Sequence, residues 1–238
     1  MIRHLHVAGW PDLLRGMRVP TDTMPPVPDP PHDCPLCPRL VAFRQHWRER
    51  EPDWHNGPVD TWSAGSDEDV RLLVIGLAPG LRGANRTARP FTGDYAGDLL
   101  YATLLSFGFA EGTYCADPDD GMQLKQCAIT NAVRCVPPEN KPVGAEINHC
   151  RPFLLATLER FPNLKALVTL GKIAHDTTTR ALGGRVAAHP FRHGGKTELA
   201  GYRIFSSYHC SRYNTNTGRL TPQMFAAVFA EAAGFVRS

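Results

Sequence analysis

Residues Val70 to Asp94 read V-R-L-L-V-I-G-L-A-P-G-L-R-G-A-N-R-T-A-R-P-F-T-G-D. The apolar run from Val70 to Ile75 has the length and the Val, Ile and Leu content of a buried strand. Turn-forming residues follow it, and after Asp94 the apolar residues recur at helical spacing. The stretch therefore predicts a strand, a long glycine-rich loop and a helix. In open α/β sheets such loops bind ligands, but this one lacks the Lys and Ser/Thr of a P-loop and does not fit G-x-G-x-x-G.

The rest of the chain repeats this alternation of strand and helix. Three more apolar runs predict strands, at Cys127–Val133, Ala166–Leu170 and Tyr202–Ser207. Helical spacing follows each run, although Pro152 predicts a kink or two separate pieces in the helix after the second strand. This order predicts a three-layer α/β/α fold with a central four-stranded parallel sheet. Loops that leave strands one, two and four should then converge on one pocket.

Composition sets the broad class of the protein. The 238 residues are 42% hydrophobic, with 26 Lys and Arg against 23 Asp and Glu, a net charge of +3. No apolar run reaches the length of a membrane span and no signal-peptide pattern is present, so we expect a soluble, intracellular protein without a membrane partner. Residues 1–33 form a Pro-rich N-terminal extension, and residues 34–238 are expected to form a single domain. The net charge permits nucleic-acid binding but does not indicate it.

Three motifs give the sequence a family resemblance. They are the G-L-A-P-G to R-P-F-T-G-D loop already quoted, T-N-A-V-R-C from Thr130, and H-C-S-R-Y-N-T-N-T-G-R-L-T from His209. Together they resemble the B-type, fifth-family uracil-DNA glycosylases, in the right order and from about Cys34 to the C-terminus. The resemblance implies hydrolysis of the N-glycosidic bond of uracil in DNA, which leaves an abasic site for base excision repair. We accordingly expect a cytoplasmic, nucleoid-associated monomer.

Seven cysteines and no secretory signal favour metal binding over disulfides. Cys34 and Cys37 have C-x-x-C spacing, and Cys135 and Cys150 lie far away in the sequence. From the residues alone, four thiolates can bind zinc or an iron–sulfur cluster. The resemblance implies a [4Fe–4S] cluster, because the family carries one on cysteines that match these four. Three cysteines have no predicted role, Cys115, Cys127 and Cys210.

Excision of a flipped base requires recognition of the base, stabilisation of the leaving anion and an attacking water. Asn131 ends strand two, and its amide can pair with O4 and N3–H of uracil, although Asn is also a common turn cap. His209 follows strand four and, as a neutral imidazole, can donate to O2. The resemblance implies that Phe91 stacks on the base. Asp94 is the carboxylate expected to position the water, and it is also placed ideally as a helix N-cap.

The sequence signal for the remaining predicted contacts is weaker. Backbone N–H groups from Gly76 to Gly80, with Ala78 between them, are expected to bind the edge of the base. Arg212, Tyr213 and Asn214 are expected to form the loop that enters the duplex where the base has left, and Ser211 is also expected to bind DNA. Contacts to DNA are predicted for Asn85, Arg86 and Lys172, and also for Arg89.

Two other functions remain open from the sequence. One is a non-enzymatic iron–sulfur or zinc nucleic-acid-binding protein with a degenerate pocket. The other is a hydrolase that acts on free nucleosides or another small ligand. For the glycosylase reading, the small side chain of Ala78 leaves room for a base larger than uracil, so we expect activity on other deaminated bases such as hypoxanthine.

Overall fold

The computed structural model describes residues 27–63 and 65–238. Its strands are β1 (Trp62–Ser63), β2 (Leu72–Gly76), β3 (Ala110–Glu111), β4 (Gln123–Leu124), β5 (Cys127–Asn131), β6 (Ala166–Leu170), β7 (Lys196–Leu199) and β8 (Tyr202–Ser207). Its α-helices are α1 (Pro38–Arg50), α2 (Ala84–Thr87), α3 (Tyr95–Ser106), α4 (Gly144–Arg160), α5 (Lys172–Ala181), α6 (Arg212–Asn216) and α7 (Pro222–Arg237).

The main sheet has the strand order β1-β5-β2-β6-β8-β7. Its four middle strands are parallel, which confirms the predicted four-stranded parallel sheet. The edge strands β1 and β7 pair antiparallel and were not among the predicted strands. In the register of β2 and β5, Gly76 lies opposite Asn131. The ends of these two strands therefore meet at the same edge of the sheet.

Each face of the sheet packs against its own layer of helices. Leu72, Val74, Ile129 and Val168 point to one face, where they pack with side chains of α3 and α7 such as Leu100, Leu104, Phe225 and Phe229. Leu73, Ile75, Ala128 and Leu167 point to the other face and pack with Leu154 and Leu158 of α4. Successive side chains of a strand point to opposite faces of the sheet. Both faces of the middle strands are apolar because helices cover both of them. Truncating one such leucine to alanine costs about 2–5 kcal/mol.

Helix α4 excludes one of the two alternatives predicted for Pro152. It runs without interruption from Gly144 to Arg160, so the two pieces expected around Pro152 are not found. Proline removes the N–H that would bond to the carbonyl of Asn148. Buried side chains on both sides of Pro152, Cys150 before it and Leu154 and Leu158 after it, keep the two halves in one helix.

Part of the predicted N-terminal extension packs on the domain. Arg134 is buried, and its guanidinium donates to Asp29 Oδ1 at 2.7 Å and to the Pro28 carbonyl at 3.1 Å. The Thr61 N–H also donates to Asp29 Oδ1, at 2.8 Å. The packed body therefore reaches back to at least Pro28, and residues 1–26 of the predicted extension lie outside the described residues. No helix in the described ranges is long and apolar enough to cross a membrane.

Candidate active site

A cleft of about 580 Å³ opens at the carboxyl ends of the parallel strands. The loop after β2, the end of β5 and the loop after β8 all contribute to it, which is where an open α/β sheet binds ligands. The structure brings the following predicted residues together along its walls: Ala78, Gly80, Phe91, Asp94, Asn131, His209, Ser211 and Arg212. Segments from three separate parts of the sequence thus form one site.

Asn131 ends β5 at the bottom of this cleft. Its side chain is only 2% exposed, and its Oδ1 atom has no hydrogen-bond partner among the described residues. A methyl group in place of the Gly76 hydrogen would lie 2.3 Å from Oδ1, so glycine is needed for this close approach. Buried acceptors are normally paired. The unpaired oxygen at the wall of a cleft is therefore suited to a donor on a ligand.

His209 lies where the chain leaves β8. Burial lowers the pKa of His209 to about 4, so the imidazole is neutral at physiological pH. The Asn214 side-chain amide donates to the His209 carbonyl at 2.8 Å and holds the backbone of this turn. The His209 ring is close to parallel with the Phe91 ring, with centroids 6.0 Å apart and planes 27° apart. A neutral donor and an aromatic face thus lie side by side in the cleft.

Asp94 has both geometries that the sequence suggested. Its Oδ1 atom accepts the Ala96 N–H at 3.1 Å, which confirms that Asp94 is the N-cap of α3. Its Oδ2 atom faces the loop after β2, because methyl groups on Gly80 and Gly83 would lie 2.7 and 2.4 Å from it. Burial raises the pKa of Asp94 above the ordinary value for a carboxyl group. One oxygen therefore caps a helix while the other borders the cleft.

Four of the predicted DNA-contacting residues lie at the surface. Tyr213 is 71% exposed, and Arg86, Lys172 and Arg212 are also exposed. The guanidinium of Arg212 lies over the Tyr95 ring, 5.2 Å from its centroid. Ser211 and Asn214 are partly buried and stabilise α6 and the His209 turn through hydrogen bonds.

Two predicted DNA contacts are corrected by the structure. Asn85 is 1% exposed, and its amide donates to Asn56 Oδ1 at 2.9 Å. Arg89 is also buried and forms an ion pair with Asp120. Both side chains are engaged inside the protein, so neither is available to a phosphate.

Several cleft residues were missed by the sequence reasoning. Arg82 adds a second exposed cation, and Asn140 approaches from the Pro-rich loop after β5. Asn140 and its neighbour Glu139 both have positive φ, at 55° and 54°. Asn140 could have been predicted from its position in the loop that follows a strand. Arg82 could not, because the direction in which its side chain points depends on how the loop after β2 folds. Leu77, Leu81, Gly83 and Tyr95 also line the cleft.

The four predicted cluster cysteines line one small cavity on the other side of the β5 loop. Cys34, Cys37, Cys135 and Cys150 surround it with apolar neighbours such as Leu40 and Phe153. The Arg134 N–H donates to Cys150 Sγ at 3.3 Å, and the Arg44 guanidinium lies 3.8 Å from Cys135 Sγ. Among the residues described, no three Cys, His, Asp or Glu side chains form a ligand set for a single metal ion.

The fold and the cleft define an α/β protein that presents an amide, an imidazole, a carboxylate and an aromatic ring to one ligand. Comparison with known proteins identifies the class. Residues 62–233 match the family described as the Uracil DNA glycosylase superfamily, and the chain belongs to this family.

Curated relatives narrow the comparison. A Type-5 uracil-DNA glycosylase of Thermus thermophilus is 44% identical over 206 residues, which cover 84% of this chain and 92% of the relative. The Type-5 uracil-DNA glycosylase of Pyrobaculum aerophilum is 38% identical, covering 84% of this chain and 88% of the relative. A Type-4 uracil-DNA glycosylase of Archaeoglobus fulgidus is 30% identical over 52% of this chain and 55% of the relative.

Proposed function

We propose that this protein is a DNA glycosylase that hydrolyses the N-glycosidic bond of uracil in DNA and leaves an abasic site. The observation that carries the proposal is the buried, unpaired Oδ1 of Asn131 in a cleft shared with Phe91, His209 and Asp94. Membership of the uracil-DNA glycosylase superfamily and the names of the Type-5 relatives support the same activity.

Asn131 recognises the edge of the flipped base. Oδ1 accepts from N3–H of uracil, and the side-chain NH₂ donates to O4. Cytosine presents the reverse pattern at these positions, an acceptor at N3 and a donor at N4, so it leaves the buried oxygen unpaired. Phe91 supplies the face on which the base stacks.

His209 stabilises the leaving base. As the glycosidic bond breaks, negative charge develops on the uracil ring, and a donor to O2 stabilises that charge. The low pKa of His209 makes the neutral imidazole the donor across physiological pH.

Asp94 orients the attacking water and opposes the positive charge that develops on the sugar. The first residues of the loop, Leu77, Ala78 and Pro79, carry no polar side chain. The only carboxylate that lines the cleft among the described residues is that of Asp94, and its Oδ2 is directed to the same loop. Sugars with oxocarbenium character are stabilised by nearby carboxylates in the same way.

Exposed residues beside the cleft bind the DNA strand. Arg82 and Arg212 lie on the cleft walls, while Arg86 lies in α2 and Lys172 begins α5. Tyr213, exposed on the first turn of α6, enters the space that the flipped base vacates. Phosphate contacts of this kind position the strand without reading its sequence.

The four clustered cysteines bind a [4Fe–4S] cluster with a structural role. Their shared cavity is lined by apolar side chains, and the N–H donors of Arg44 and Arg134 face two of the sulfurs. In a [4Fe–4S] cluster each cysteine sulfur binds a different iron, so the four sulfurs lie further apart than the four ligands of one zinc ion. The four cysteines of this cavity do not form a site for a single metal ion, which is compatible with such a cluster. The cluster would tie the segment before α1 to the loop after β5 and to α4.

The cleft also accommodates bases other than uracil. Ala78 and Gly80 present little side-chain volume to the cleft. Hypoxanthine, a deaminated purine, is therefore a second substrate, with uracil preferred because Asn131 matches its edge. The protein acts as a monomer in the cytoplasm, at the nucleoid, where its DNA substrate is found.

Two measurements test this proposal. Purified protein should convert a uracil-containing oligonucleotide to an abasic-site product, and thymine- or cytosine-containing controls should remain intact. DNA binding without excision would instead support the non-enzymatic nucleic-acid-binding protein, and cleavage of free deoxyuridine alone would support the nucleoside hydrolase. Iron and sulfide should be present in equal amounts with a brown colour, whereas stoichiometric zinc without iron would contradict the cluster.

A further inference from the structure

We propose that the buried ion pair between Arg89 and Asp120 positions Phe91 and Asp94 for base excision. This inference rests on the glycosylase function proposed above. It assigns a role to Asp120, a residue outside the three motifs and outside the cleft. Arg89 and Asp120 touch neither substrate nor water, so they are positioning residues.

The ion pair is buried and its geometry is fixed. The side chains of Arg89 and Asp120 are 6% and 0% exposed. Two guanidinium nitrogens of Arg89 donate to the two carboxylate oxygens at 2.8 and 2.7 Å. Asp120 also accepts the backbone N–H groups of Cys115 and Met122, each at 3.0 Å. A two-pronged pair of this kind allows little rotation, so it fixes the place of Arg89 relative to the loop from 112 to 122.

Arg89 transmits this position to the active-site loop. Its third nitrogen, Nε, donates to Thr92 Oγ1 at 2.7 Å. Thr92 lies between Phe91 and Asp94 in the sequence and is fully buried. The Arg89 guanidinium also lies over the Trp62 ring, 4.8 Å from its centroid, which prevents movement to that side. One side chain thus connects a remote loop to the short segment that carries two proposed active-site residues.

The segment needs such support because its backbone is strained. Phe91 has a φ of +56°, a conformation that is rare for a bulky residue. The hydroxyl of Tyr114 donates to the Phe91 carbonyl at 3.3 Å, and that of Tyr101 donates to the Pro90 carbonyl. A methyl group on Gly97 would lie 2.0 Å from the Phe91 carbonyl oxygen. Strained conformations persist only where the surroundings fix them, and here the surroundings include Arg89.

Stability alone is a weak reason for this ion pair. Burying two charges costs about as much as their attraction returns, and apolar replacements of similar shape are often neutral or stabilising. The ion pair does fix the orientation of the Arg89 side chain, because its guanidinium donates to two carboxylate oxygens and one hydroxyl at the same time. The hydrogen bonds from Arg89 hold the pKa of Asp120 well below its usual range, so the pair stays charged at any pH at which the enzyme works.

The test compares single-turnover excision with DNA affinity and stability. In Arg89→Lys the charge remains, but the fork and the bond to Thr92 are lost. In Thr92→Val the ion pair remains, but the Thr92 hydroxyl is lost, and with it the bond from Arg89 Nε and the longer bond to the Pro90 carbonyl at 3.3 Å. Both variants should excise uracil at least tenfold more slowly at saturating enzyme, because small displacements of positioning groups have large effects on rate. Their affinity for DNA containing a non-cleavable uracil analogue should change less than threefold.

Leu158→Ala in α4 is the matched control. It destabilises the opposite face of the sheet and should keep the wild-type excision rate at a temperature where it is folded. Should Arg89→Lys fail to fold, Asp120→Asn and Thr92→Val make the same comparison. Wild-type rates in folded Thr92→Val and in either ion-pair variant would overturn the positioning role, as would an equal loss of rate in Leu158→Ala. A wild-type protein without uracil excision would overturn the proposed function, and this inference with it.

Discussion

Replacing Asn131 by alanine should abolish base recognition without destabilising the protein. In the protein without DNA, Oδ1 of Asn131 is buried and has no partner among the described residues. The folded state therefore already carries the free-energy cost of removing this oxygen from water. An unsatisfied buried acceptor costs about 1–3 kcal/mol. Removing it should leave the free energy of unfolding unchanged or raise it by up to about 1 kcal/mol, since part of the gain offsets lost packing.

The loss of activity follows from the two hydrogen bonds that Asn131 offers to uracil. Each is worth about 0.5–1.5 kcal/mol, so their loss should cost about 1–3 kcal/mol in all. That corresponds to a fall of roughly 5- to 150-fold in kcat/KM. Single-turnover excision from a uracil oligonucleotide measures the rate, and urea unfolding measures the stability.

Asn85→Ala is the matched control for this prediction. Asn85 is equally buried, but its amide donates to Asn56 Oδ1. Its removal leaves that oxygen unpaired and should destabilise the protein by about 1–3 kcal/mol, while excision by the folded fraction continues. The reasoning would be refuted if Asn131→Ala lost stability as Asn85→Ala does and excised uracil at the wild-type rate.

Four further predictions concern the cleft. His209→Ala should lower the single-turnover rate by about two orders of magnitude, which is the effect of removing one hydrogen-bond donor to a developing anion. A loss below about threefold would show that His209 takes no part in catalysis. Because burial lowers the pKa of His209 to about 4, His209 should contribute no titration step near the ordinary histidine pKa of about 6.5. The rate should fall with falling pH as Asp94, whose pKa is raised by burial, becomes protonated. Asp94→Asn should keep the cap of α3 and lose at least tenfold in rate, whereas Asp94→Ala should also lose about 1 kcal/mol of stability; a fully active Asp94→Asn enzyme would leave Asp94 as a cap alone. Excision from a hypoxanthine oligonucleotide should be slower than from uracil but measurable, and strict uracil specificity would contradict the roomy cleft.

The sequence was sufficient for those elements whose signal is local. Strands β6 and β8 begin and end where their apolar runs do, and Asp94 caps the helix that follows it. Such features depend on neighbours within a few residues, through the period of apolar side chains or a cap bond to the first turn. The run Cys127–Val133 placed Asn131 near the end of a strand, although β5 ends at Asn131 itself, before the run does.

Only the tertiary structure decided where polar side chains with distant partners would point. Asn85 turns inward to Asn56, 29 residues away, and Arg89 to Asp120, 31 residues away. In the sequence both look like surface residues of a polar loop, and nothing within a few residues of either marks its partner. The edge strand β1 is similar, since two residues become a strand only by pairing with β5. The local sequence pattern therefore determined the four middle strands and the edge of the sheet at which the cleft lies. The contacts that hold the cleft residues in position became visible only in the folded chain, because hydrogen bonds form between groups that are close in space, whatever their distance in the sequence.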